Sequence, residues 1–142
     1  MKKAFAKARS DNSLGLVLLT QASPAFESNW KGIALRRYFR PLAPLSVKSP
    51  KKPNPKRAGY DEFHQVLLAE LETYKKPTLL MHGDNHHVKI DKPLFNPRTK
   101  LFVPNFTRVE TFGDPTTGWI HVLVDPKDRD LFTFKPRQYI PD

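Results

Sequence analysis

Hydrophobic positions recur along this chain in two different periods. Residues 60–75, YDEFHQVLLAELETYK, carry Phe63, Val66, Leu67, Leu71 and Tyr74 at helical spacing, so one face of a helix is apolar. Asp61 suits the N-cap, Lys75 and Lys76 suit the C-terminal end, and Pro77 stops the helix. Residues 14–20, LGLVLLT, form an unbroken apolar run of strand length, as expected of a strand buried on both faces. Residues 78–82, TLLMH, repeat that pattern, and HVKI, FTRVETF, WIHVLV and LFTF are four further strand candidates separated by Gly and Pro. Residues 2–10 read as the end of a helix, and residues 29–39 as a short amphipathic one. The order is helix, strand, helix, strand, then a run of strands, which predicts an α/β or α+β layered sheet with flanking helices, and the length of 1–142 suits one domain or part of one.

Charge changes this picture in one place. The chain has 142 residues and a formal net charge of +10. Residues 31–57 hold nine basic and no acidic residues, whereas the rest holds fifteen basic and fourteen acidic. Five prolines fall in the same region, so 41–58 is expected to be a basic, Pro-rich exposed loop. Nine cations could engage phosphates, with Trp30, Tyr38 and Phe39 stacking on bases. The plainer reading is a solvated insertion on a protein whose substrates are anionic.

Cysteine is absent, which excludes disulfides and thiolate metal sites. Metal binding would use His, Asp, Asn or Gln, suiting Mn, Fe or Zn. No apolar run reaches the roughly 20 residues of a membrane span. Lys7, Arg9 and Asp11 interrupt the N-terminal pattern that a secretory leader requires, so a cytoplasmic location is expected.

The candidate chemistry lies in LLMHGDNHHVKI, residues 79–90. A strand ending in a glycine turn presents side chains at its C-terminal rim, where sites on α/β sheets gather. Gly83 permits a sharp bend, and Asp84 and His86 face one way if the chain stays extended beyond it. His82 precedes the turn and His87 alternates to the other face, so both are expected to matter less. A polar turn with surface histidines has the same appearance.

Residues 76–94, KPTLLMHGDNHHVKIDKPL, followed by NFTRVETFGDP and GWIHVLVDP, resemble the C-terminal part of calcineurin-like metallophosphoesterases. GLVLLTQASPAFE and the helix at 59–75 fit the same segment. The resemblance implies the second half of an α/β/β/α sandwich, and a hydrolase that cleaves phosphoesters with hydroxide activated by two metal ions. The family's final G-H-x-H motif aligns with Gly83, Asp84, Asn85 and His86. His86 thereby inherits a ligand of the first metal and Asp84 one of the second, and Gln21 stands where another second-metal histidine is usual. The turn at 112–115, FGDP, resembles the one that backs the site.

Asn105 and Arg108 become substrate-binding candidates through the resemblance alone, and Arg108 could equally brace the sheet. The family's earlier motifs, G-D-x-x-D and G-N-H-[DE], do not occur, and the one D-x-H, at 84–86, is read as part of the final motif. The expectation is therefore a partial phosphatase-like site acting on a phosphorylated substrate, weak or inactive alone. An apolar sheet face would be left to self-associate or to meet a missing N-terminal half. The alternative is a basic module binding nucleic acid or other anions, loosely and with salt sensitivity. A Ser-His-Asp hydrolase lacks its G-x-S-x-G elbow, His64 reads as structural, and His121 as a strand residue.

Overall fold

A computed structural model describes residues 1–26 and 59–140. The expected helix at 29–39 and the basic loop at 41–58 lie outside the described residues. The described chain is a mixed α+β unit built around a sheet, with two α-helices and no helix long and apolar enough to cross a membrane.

The central sheet has the order β1 (Leu16–Leu19), β2 (Thr78–His82), β6 (Phe106–Glu110) and β3 (Lys89–Asp91). β1, β2 and β6 run parallel, and β3 is antiparallel to β6. Register puts Leu16, Thr78 and Phe106 in one row, Leu18, Leu80 and Arg108 in the next. His82 and Glu110 form a third row. Because side chains alternate along a strand, these residues share one face.

Two helices cover that face. α1 (Lys2–Ser10) buries Phe5 and Ala8, three apart. α2 (Asp61–Thr73) buries His64, Leu67 and Leu71, and Tyr74 just beyond its end is also buried. Phe5 meets Tyr74 edge-on at 5.7 Å, and Arg9 bonds Glu70 at 2.7 Å. Leu80, Phe106 and Phe26 complete this core. Tyr60, not Asp61, occupies the N-cap, and no side chain caps the helix. Asp61 instead lies in the first turn with Glu62, where a carboxylate still favours the positive end of the helix dipole. The expected apolar stripe rotates slightly. His64 takes its centre by bonding the Pro24 carbonyl through Nε2 at 2.7 Å and stacking on Phe26 at 4.9 Å.

β1 departs from the doubly buried strand expected. Leu16 and Leu18 pack on the core, but Val17 is 45% and Leu19 76% exposed. The reason is position: among the described residues β1 is a sheet edge, whereas its apolar composition resembles that of an interior strand. Leu79 and Val109, on the same face, are fully buried, so that face is open toward β1 and not throughout.

β7 (Gly118–Val124) and β8 (Phe132–Gln138) form a separate antiparallel hairpin. Phe132 and Phe134 line a cavity of about 230 Å³ with Ile90 and Thr107 of the sheet. The close approach depends on Gly15, where a Cβ would stand 2.4 Å from Leu131 Cδ2. β4 (Phe95–Asn96) and β5 (Leu101–Phe102) make a two-residue ladder too short to leave a pattern. Asn96 Oδ1 closes its turn by accepting from the Arg98 N–H at 2.9 Å.

Candidate functional site at the C-terminal rim

β1, β2 and β6 end together, and the chain beyond each one meets at residues 83–86. The Gly83 N–H donates to the Gln21 carbonyl at 3.2 Å, tying the end of β2 to the chain after β1. Asp84 Oδ2 accepts from the Ser23 N–H at 3.1 Å, a second tie to the same segment. The Asn85 N–H donates to Glu110 Oε1 at 3.1 Å, at the last residue of β6. His86 Nδ1 donates to the Asp114 carbonyl at 2.9 Å, in the loop after β6. The first two residues of the turn are thus anchored to the segment after β1, and the last two to β6 and the loop after it.

The turn is sharper than the sequence suggests, and glycine does not make it. Asp84 has φ 87° and His86 φ 62°, both left-handed. Gly83 is not in that region. Asp is among the residues that adopt positive φ most readily, but a non-glycine residue there still carries strain. The extended chain that would aim Asp84 and His86 the same way is therefore not formed. Asp84 leans to the β1 side and His86 to the Asp114 side.

The bond to Asp114 nonetheless selects one neutral tautomer of His86. A carbonyl only accepts, so Nδ1 carries the proton in the Asp114 bond, and in the neutral ring the lone pair sits on Nε2. That is the arrangement of a metal-ligating imidazole oriented by a backbone carbonyl. Gly113 packs against the ring so closely that a Cβ there would meet His86 Cγ at 2.4 Å. The turn at 112–115 therefore does back the histidine. His87 is exposed, and His82 is buried with Nδ1 donating to the Gly83 carbonyl at 2.7 Å.

Glu110 is the residue that pattern reading overlooks. It is fully buried, Oε1 holds the Asn85 N–H, and Oε2 lies 3.6 Å from Lys89 Nζ. Its sequence signal is faint: Phe106, Arg108 and Glu110 occupy alternate positions, so a strand facing a helix carries two charged residues inward. Each has a partner on β3, since Lys89 stands opposite Glu110 and Asp91 opposite Arg108.

The two substrate-binding candidates are not at the rim. Arg108 is buried at mid-strand, with Nε and Nη2 donating to Asp91 at 2.8 and 2.5 Å and its guanidinium 5.6 Å from the Phe26 ring centre. It braces the sheet under the helices. Asn105 precedes β6, at the opposite end of the parallel strands, and its Nδ2 donates to the Tyr74 carbonyl at 2.9 Å. It ties the end of α2 to the sheet.

The rim supplies one imidazole nitrogen, the Asp84 carboxylate and the nearby Gln21. Among the described residues no group of three or more His, Cys, Asp or Glu side chains is placed to hold a metal ion. The donors present do not amount to a dinuclear centre. No protein-family model, curated protein or solved structure matches the chain.

Proposed function

We propose that this chain supplies the C-terminal part of a metal-dependent phosphoesterase site and is weakly active or inactive alone. The observation that carries the reading is the 83–86 turn. It gathers the ends of three strands at one rim and fixes His86 with Nδ1 committed to a carbonyl. Asp84 and His86 are its metal donors, with Gln21 as a third, and Mn, Fe or Zn as the metal. The remaining ligands come from a partner segment that carries the motifs this sequence lacks. Its docking place is the open apolar edge at Val17 and Leu19, which otherwise favours self-association.

Because the donors fall short of a two-metal site, no catalytic step is assigned to the chain by itself. The test joins binding to turnover. Mn²⁺ titrations by calorimetry should show weak binding that His86→Ala reduces by about 10–100-fold, the range for loss of a ligand or its support. p-Nitrophenyl phosphate and its bis ester with Mn²⁺ should show little hydrolysis. Robust turnover abolished by His86→Ala would overturn the half-site, and Mn²⁺ binding indifferent to His86 and Asp84 would overturn the metal reading.

A further inference from the structure

The outer face of the β7–β8 hairpin carries aromatic rings and cations together. Register pairs Trp119 with Arg137, His121 with Lys135 and Leu123 with Thr133. Paired residues of an antiparallel ladder project to the same face. Tyr139 lies two residues beyond Arg137, and its N–H donates to the Thr117 carbonyl at 2.9 Å, which continues the pairing. All of these side chains are exposed, Trp119 by 55% and Tyr139 by 58%. Ile120, Val122, Phe132 and Phe134 alternate with them and are half-buried, whereas Val124, Pro136 and Gln138 toward the ends of the alternate face are exposed. Through the middle of the ladder the face of Trp119 is thus the one turned to solvent.

Neither strand contains Asp or Glu. Lys135 and Arg137 make no ion pair or side-chain hydrogen bond with any described residue. We propose that this face binds single-stranded nucleic acid, with bases stacking on Trp119 and Tyr139 and phosphates meeting Arg137 and Lys135. Trp119 and Tyr139 are diagonal neighbours, about 7–8 Å apart in such a ladder. Each ring can take its own base while one strand reaches both, and Arg137 adjoins both rings. Stacking tolerates any base because every base has a π face, so the expected binding is weakly sequence-selective.

Charge decides between this occupant and a second copy of the chain. An isologous dimer through this face would bring Lys135 and Arg137 of both copies to one patch, with no carboxylate on either strand to receive them. A polyanion with planar rings complements both features. The surface uses none of Gln21, Asp84 or His86, so it stands or falls apart from the phosphoesterase reading. Its residues are other than the cations at 31–57 of the sequence, and the test separates the two sets.

The full chain, with 5-fluorotryptophan at Trp30 and Trp119, is titrated with a labelled oligothymidylate and separately with inorganic polyphosphate. Trp119→Phe assigns the two fluorine signals. The Trp119 signal should shift on adding the oligonucleotide and not on adding polyphosphate. Trp119→Ala should weaken oligonucleotide binding by roughly 5- to 150-fold, the range for one stacked base. Trp119→Phe should bind within a few-fold of the parent, which guards against a folding defect. Lys135→Gln with Arg137→Gln should lower the salt slope by about 1.4, two phosphate contacts at about 0.7 each.

Three results would overturn the proposal: an unmoved Trp119 signal at saturation, binding lost only when Lys51, Lys52, Lys56 and Arg57 are neutralised, or self-association that depends on Trp119 and excludes the oligonucleotide.

Discussion

Replacing Gly113 by alanine should displace His86 while the fold stands. An ideal Cβ at position 113 would lie 2.4 Å from His86 Cγ, 2.5 Å from Cδ2 and 2.9 Å from Cβ. Carbon pairs rest at about 3.5–4.0 Å, so the imidazole must retreat by roughly 1 Å. Ring rotation cannot achieve this, because His86 Cβ is among the clashing atoms, and the backbone of the turn has to move. The first cost is the His86–Asp114 hydrogen bond of 2.9 Å, worth about 0.5–1.5 kcal/mol net. The second is overpacking strain, about 1–3 kcal/mol in a core and near the lower bound here because His86 is exposed.

A total of about 1.5–2.5 kcal/mol corresponds to a Tm lower by roughly 4–12 °C. Gly83→Ala is the control. Its Cβ meets only the Gln21 carbonyl at 3.9 Å and its φ is not left-handed, so the change should stay within about 0.5 kcal/mol. Thermal melts by circular dichroism give the stability, and the His86 side-chain resonances in ¹H–¹⁵N NMR give the displacement. Unshifted His86 resonances in Gly113→Ala, or an equal effect from Gly83→Ala, would refute the reasoning.

Two other perturbations test the frame that holds the rim. Arg108→Ala strands Asp91 and removes the cation over Phe26; because the Asp91 side chain is 37% exposed, the loss should fall near the lower end of the roughly 3–5 kcal/mol for breaking a buried pair. Arg108→Met refills the volume but leaves Asp91 unpaired, so it should recover only the packing part of the loss, and a urea midpoint equal to the parent's would contradict this account. Burial raises the Tyr74 phenol above its ordinary pKa of 10.0. The unfolded chain therefore ionises first, so this contribution is intact below about pH 10 and is lost as pH rises through the folded value. Urea midpoints from pH 8 to 11 should fall more steeply in the parent than in Tyr74→Phe, which also lacks the 3.1 Å bond to the Ser13 carbonyl. Parallel curves would sink the assignment.

Elements legible in the sequence are those whose cause is local. The 3.6-residue spacing around Leu67 and Leu71 specifies a helix wherever it packs, and Pro77 bounds β2 for reasons internal to the backbone. Gln21, Asp84 and His86 could be placed at a strand rim because strand ends and turns are also local features. What escaped depends on neighbours distant in sequence. Leu19 is apolar enough for an interior strand, but its exposure follows from β1 being an edge in the described sheet. Arg108 and Asn105 are polar residues in one strand segment. Only pairing with β3 turns the first into a brace under the helices, and only the parallel direction of β2 and β6 puts the second at the far end.

Glycine's free backbone makes Gly83 the expected bend, yet Asp84 and His86 take the left-handed angles. Ser23 holds Asp84 and Asp114 holds His86, with Glu110 fixing Asn85 between them, from segments on either side of the turn. Local sequence sets what a residue can adopt at low cost, whereas packing against remote segments decides which strained state is held.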